Sequence, residues 1–215
     1  TDAVLEEFFT GDGLTNDPVD VMDFSAVAGP ITFDLGDAFK SVVASGSNTA
    51  PNESLGVEIF IGNDAANEFN ITGTLDNPFI LQGNGGDDTY NVTFEQLTSS
   101  VTIDDAANPS DIDVLNVTSV ADAVAVTVAN NNQITHGDET ILFDAGYDSI
   151  DRLNINAPSA PVAFTGSGNV LNLKDSLTVN AGAITWTGDI DAASIDFNSA
   201  TGMNVDYALD SRASG

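Results

Sequence analysis

The 215-residue chain contains no cysteine, one histidine and only four lysines and arginines, against 33 aspartates and glutamates, for a formal net charge of −29. Without cysteine there is no disulfide framework and no thiolate metal site. With Lys40, Arg152, Lys174 and Arg212 as its whole complement of strong bases, it cannot neutralise a phosphate backbone. That excludes nucleic acid and argues against anionic membrane surfaces and phosphate-rich cofactors. No apolar run approaches the ~18 residues that a membrane span needs, so no membrane insertion is expected. The chain opens at Thr1 without a leader-like segment, which suggests a processed chain or a segment of a longer one.

What is present opposes disorder, since 42% of the residues are hydrophobic and 12 are phenylalanine. Helical periodicity is scarce. The best candidates are Ala3–Phe9 and Asp37–Val43, and neither sustains a stripe over several turns. Elsewhere short alternating runs rich in Val, Ile, Thr and Phe recur between Gly, Asn, Asp and Ser. Examples are Ile31–Leu35, Val57–Ile61, Val101–Ile103, Val124–Val128 and Ala183–Thr187. Period-two alternation with turn chemistry between predicts many short strands.

A tetrad of bulky apolar, Asn, aliphatic and polar residues repeats at Phe69–Thr72, Tyr90–Thr93, Leu115–Thr118, Leu153–Asn156 and Leu171–Lys174, with offsets of 21, 25, 38 and 18 residues. The 38-residue gap is nearly twice 19. The fold expected is therefore all-β, a β-solenoid (parallel β-helix or β-roll-like) with irregular coils of about 18–25 residues; a β-sandwich is the alternative. Residues 1–215 then form a single elongated domain, with 1–50 as a cap or N-terminal coils. Within each tetrad the first and third residues face the interior and the Asn faces out. Stacking places Asn70 near Asn91, where side-chain amides can form a ladder. Of the sequons at Asn52, Asn70, Asn91 and Asn116, three coincide with the tetrad, so strand architecture accounts for them.

The stretch Gly83-Asn84-Gly85-Gly86-Asp87-Asp88-Thr89-Tyr90-Asn91 resembles the glycine- and aspartate-rich nonapeptide of RTX-type calcium-binding β-rolls. Gly83, Gly86, Asp88 and Tyr90 match the pattern, and Asn84 stands where the second Gly would be. A weaker copy begins 21 residues earlier at Gly62, with Asp64 in its turn, Asn67 under Asp88 and Phe69 under Tyr90. Glycines permit the tight turn and Asp supplies a hard oxygen, while Ca2+ takes six to eight oxygens and so needs two stacked turns. The resemblance implies a calcium site drawn from Gly83, Gly85, Gly86, Asp87, Asp88, Asp64 and Asn67. The other reading of the same turns is metal-free, with Asn67 and Asn84 as turn residues.

The segment Asp20–Leu35 is similar to the D-x-x-D-F-S…D-L stretches that accompany RTX-like turns in large bacterial secreted and surface proteins. Read physically, Phe24 packs inward, Ser25 to Pro30 turn, and Ile31, Phe33 and Leu35 share a strand face. Two further acidic clusters could each furnish a cation site or form a solvated face: Asp104, Asp105, Asp111 and Asp113, and Asp138, Glu139, Asp144, Asp148 and Asp151.

No catalytic constellation is recognisable. His136 follows Asn130-Asn131-Asn132-Gln133 and is expected in a turn or loop, and Trp186 is expected to be a packed strand residue. Two carboxylates would suffice for glycosidase chemistry, so a polysaccharide-degrading β-helix enzyme remains an alternative, as does a carbohydrate-binding module. The leading expectation is a non-enzymatic structural or adhesive module of an extracellular bacterial assembly, such as a surface layer, sheath, filament or adhesin. Its expected partners are copies of itself, flanking parts of a longer chain, or cell-surface glycans.

Overall fold

A computed structural model describes residues 9–10, 20–36, 41–44, 57–71, 73, 78–97, 99–105, 108, 110–120, 124–129, 133–143, 149–166, 169–205 and 210–211. Lys40, Asn52, Asn130 to Asn132, Asp144, Asp148 and Arg212 lie outside them, as does most of Ala3–Phe9. The strands are β1 (Phe9–Thr10), β2 (Asp20–Asp23), β3 (Ile31–Leu35), β4 (Ser41–Ala44), β5 (Val57–Ile61), β6 (Glu68–Ile71) and β7 (Phe79–Gln82). They continue as β8 (Thr89–Thr93), β9 (Ser100–Ile103), β10 (Val114–Thr118), β11 (Val126–Ala129), β12 (Gln133–His136) and β13 (Glu139–Phe143). The last are β14 (Arg152–Thr165), β15 (Asn169–Asn172), β16 (Ser176–Trp186), β17 (Asp189–Ala192), β18 (Ser194–Ser199), β19 (Met203–Val205) and β20 (Asp210–Ser211).

The described residues are all-β, without a helix, in a curled mixed sheet of 17 strands and a second sheet of three. The segment Asp37–Val43, one of the two candidate helices in a sequence with little helical periodicity, is strand where it is described. There β4 pairs antiparallel with β3, and Ser41-Val42-Val43 brings two β-branched residues that favour the pleat.

Two parallel series alternate along the chain. One runs β2–β5–β7–β9–β13, the other β3–β6–β8–β10–β14–β16–β18. In the second, Phe33, Phe69, Tyr90, Leu115, Leu153, Leu177 and Ile195 stand in one column. Phe33 stacks on Phe69 at 4.4 Å and Phe69 on Tyr90 at 5.0 Å. All three rings are fully buried, each contributing about 1.5–3 kcal/mol by burial.

Asn70, Asn91, Asn116 and Asn154 form the expected amide ladder. Each donates from Nδ2 to the Oδ1 of the residue one strand earlier, at 2.7–2.9 Å, and Asn70 donates to Asp34. The turn after β2 is also as expected: Phe24 is buried, the Ser25 N–H donates to Asp23 Oδ1, and Gly29 has φ 82°.

Two expectations about the repeat need correction. The 38-residue gap holds no intermediate coil, because β10 pairs directly with β14. The described residues between them include β11, β12 and β13, paired antiparallel in turn, with β13 parallel to β9. The fifth tetrad, Leu171–Lys174, is not in the column either. Leu177-Thr178-Val179 takes that place, while β15 pairs with β17 in the small sheet. The length of β14 explains part of this. Its register shifts between Ala157 and Pro161, where Pro158 and Pro161 lack the N–H that a continuous ladder needs. Its first half pairs with β10 and its second with β11.

Candidate metal centre

The residue two places before each of the first four tetrads forms a second column, and this one is polar and buried: Asn67, Asp88, Asp113 and Asp151. Each is followed by a strand whose apolar residues point inward, so the residue two positions earlier points inward as well. Their carboxylates accept backbone N–H groups from the preceding member. Asn67 N–H donates to Asp88 Oδ1 at 2.6 Å, Asp88 N–H to Asp113 Oδ1 at 2.8 Å, and Asp113 N–H to Asp151 Oδ2 at 3.0 Å. Buried acids thus satisfy main-chain donors that the turns leave unpaired.

Asp105, just after β9, enters the same region. Asp88, Asp105 and Asp113 each direct a carboxylate oxygen to one place, all within 4.8 Å of one another, and all three are buried. The Tyr90 hydroxyl donates to Asp105 Oδ2 at 2.7 Å. Asp88 is 0% exposed, and its Oδ2 takes part in no hydrogen bond. Burial, helped by the neighbouring Asp105 and Asp113 charges and opposed by the Asn67 hydrogen bonds, pushes Asp88 up to about 8. Burial likewise raises Asp113 to about 6, with Asp151, Asp111 and Asp87 adding to the effect and the Asp88 N–H opposing it. Tyr90 is raised well above its usual value by burial and by Asp105.

Gly83 shows why the first nonapeptide position admits no side chain. A Cβ there would collide with Asp88 Oδ2 and lie 2.5 Å from the Tyr90 hydroxyl. Gly86 has φ +104°, and a Cβ would lie 2.6 Å from the Ala65 carbonyl carbon. Asn84 also takes a positive φ of 74°, as Asn tolerates, and donates its amide to the Gly62 carbonyl. The Asn67 amide donates to the Asn63 and Gly83 carbonyls.

Of the seven residues expected as calcium ligands, Asp88 alone belongs to the buried triad. Asp87 is exposed and accepts the Ile112 N–H. Asp64 is exposed near Gly85, whose Cβ position is 3.7 Å from both Asp64 Oδ1 and Asp111 Oδ2. The other two triad members come from the acidic cluster at 104–113, which lies apart from the nonapeptide in sequence. The shared offset was the available signal, because Asp113 follows Asp88 by the same 25 residues that separate Leu115 from Tyr90.

The described bases sit elsewhere. Lys174 Nζ lies 3.2 Å from Asp151 Oδ1 and donates to the Asp111 carbonyl, and Arg152 pairs with Asp175. His136 ends β12, where a loop was expected, and is 5% exposed. Its Nδ1 is 3.0 Å from Glu139, its Nε2 is 3.5 Å from Glu95, and its ring stacks on Phe94. Glu139 in turn accepts the N–H groups of Glu95 and Leu97. Trp186 is buried beside Phe197. Compared with known protein families, curated proteins and solved structures, the chain matches none.

Proposed function

We propose that the chain is a non-enzymatic structural or adhesive module of a bacterial extracellular or cell-surface assembly, wound as a β-solenoid and stabilised by calcium. The supporting observation is the use made of its polar residues. The Asn70–Asn91–Asn116–Asn154 ladder and the Asn67–Asp88–Asp113–Asp151 column each run from strand to parallel strand. In this reading both act as fasteners between successive coils, so the repeat can extend along one axis. At the C-terminal side, β18 pairs with β16, and its side chains are half-buried or exposed. Among the described residues β16 is the strand in register with β18, and the other side of β18 can accept a further strand. Light scattering after size-exclusion chromatography tests the reading. Growth of the purified chain into larger species in millimolar calcium is expected, and a monodisperse monomer under those conditions would contradict it.

A further inference from the structure

We propose that Asp88, Asp105 and Asp113 together bind one hard divalent cation, calcium in preference to magnesium, inside the chain where the turn before β8, the end of β9 and the entry to β10 meet. The inference deepens the calcium-stabilised reading above, but it concerns ion binding alone and holds whether or not copies assemble.

Four observations carry it. The three carboxylate oxygens lie within 4.8 Å of one another. That is the span of two ligands on opposite sides of an ion with Ca–O distances of about 2.4 Å. Second, the fully buried Asp88 has Oδ2 close against Gly83, where the Tyr90 hydroxyl also lies, and this oxygen takes no hydrogen bond. A buried carboxylate oxygen in that condition is costly unless a cation or proton joins it. Third, the charges acting on Asp88 are those of Asp105 and Asp113, both negative. The three described basic side chains are engaged with Glu95 and Glu139, with Asp175, and with Asp151. Fourth, position 83 is glycine where any Cβ would meet both Asp88 Oδ2 and the Tyr90 hydroxyl, which keeps the space beside those oxygens clear.

The donor set selects the ion. Carboxylate and phenol oxygens are hard, without the imidazole or thiolate that favours zinc or copper. Magnesium keeps several waters and needs short, near-octahedral bonds, whereas calcium accepts irregular protein oxygens. Carboxylates 0–6% exposed are closed off from bulk water, which disfavours an ion that keeps its hydration shell. A calcium ion here would tie both parallel series together, since Asp105 follows β9 of one series while Asp88 and Asp113 precede β8 and β10 of the other.

Titration calorimetry of the chelator-stripped full chain with calcium chloride, and then with magnesium chloride, tests the site beside thermal melts. Expected are one calcium per chain at this site and a melting temperature raised by about 5–10 °C at a hundredfold excess over Kd. Asp105→Asn and Asp88→Asn each weaken calcium binding by about tenfold or more. Both are isosteric, and their far-UV circular dichroism in chelator checks that they fold. Asp64→Asn and Asp87→Asn, in the exposed turn, leave binding within about twofold of the parent. Absence of calcium binding by the parent chain would overturn the inference and leave a proton shared among the three acids. Unchanged binding in both triad variants would also overturn it, as would loss of binding in the turn variants. A calcium-binding monomer would keep the site and remove the assembly reading; assembly without calcium binding would do the reverse.

Discussion

The two ends of the buried acid column differ in how their charge is met. At the C-terminal end, Asp151 receives the Asp113 N–H on one oxygen and faces the Lys174 ammonium at 3.2 Å on the other. Asp175, one strand further on, pairs with Arg152. At the N-terminal end, Asp88 receives the Asn67 N–H on one oxygen, and the charged groups acting on it are further acids, Asp105 and Asp113. The architecture is the same at both ends: an acid two residues before a strand, pointing inward and accepting a main-chain N–H. What differs is the supply of bases, because the described ones, His136, Arg152 and Lys174, all follow β10 in sequence. A chain this acidic neutralises a buried carboxylate with lysine where it has one, and needs a proton or an ion where it does not.

That contrast can be broken from either end. The largest effect is expected at the lysine end. Lys174→Met strands the Asp151 carboxylate and costs about 2–3 kcal/mol, below the range for a fully buried pair because the lysine is 35% exposed. Urea midpoints should show this loss equally in calcium and in chelator.

At the triad end the expected signature is pH dependence. The folded-state values of Asp88, about 8, and Asp113, about 6, lie above the ordinary 3.8. The folded chain therefore holds these protons more tightly than the unfolded chain. The stability they confer is complete below pH ~4 and is lost as pH rises through about 6 and then about 8. In chelator, the melting temperature should fall by about 5 °C or more between pH 5 and pH 8.5, and calcium should remove most of that fall. A flat profile in chelator would show that the acids carry no such burden.

Steric control of the triad is a smaller effect. Gly83→Ala drives a methyl group into Asp88 and Tyr90 and should cost about 1–3 kcal/mol together with calcium binding. Gly85→Ala meets nothing nearer than 3.7 Å and should leave both within error. The smallest effect belongs to the ladder, which serves as an electrostatically neutral control. Asn116→Ala removes a half-buried amide with a bond on each side, worth about 1 kcal/mol in denaturant unfolding, and should not alter the response to calcium.

Much of the second parallel series was legible in the tetrad, since alternation fixes which residues face inward and a common offset fixes which stack. Phe69, Tyr90, Leu115 and Leu153 follow from that alone, as does the Asn ladder. Repeat spacing misleads where chain length and strand path separate. The described residues between Thr118 and Arg152 include β11 to β13, while β10 pairs directly with β14, and the register of β14 shifts at the proline-containing stretch 157–161 between two partners. The apparent tetrad at 171–174 repeats the sequence pattern without sharing the column. In the site, Asp113 was readable from its offset to Asp88, but Asp105 was not. It follows a strand of the other series, and only the packing of the two series brings it to Tyr90. His136 was misplaced for a similar reason: the preceding asparagines suggest a turn, but the imidazole lies between two glutamates from different segments.

The most direct test of ionic neutralisation at the triad end is the melting temperature of the parent chain and Asp88→Asn at pH 7.5, each in chelator and in saturating calcium. Expected are a large calcium increment in the parent and a much smaller one in the variant, with the variant melting above the parent in chelator because its buried amide needs neither a proton nor an ion. Equal calcium increments in the two chains, or a variant that melts below the parent in chelator while retaining the increment, would contradict it.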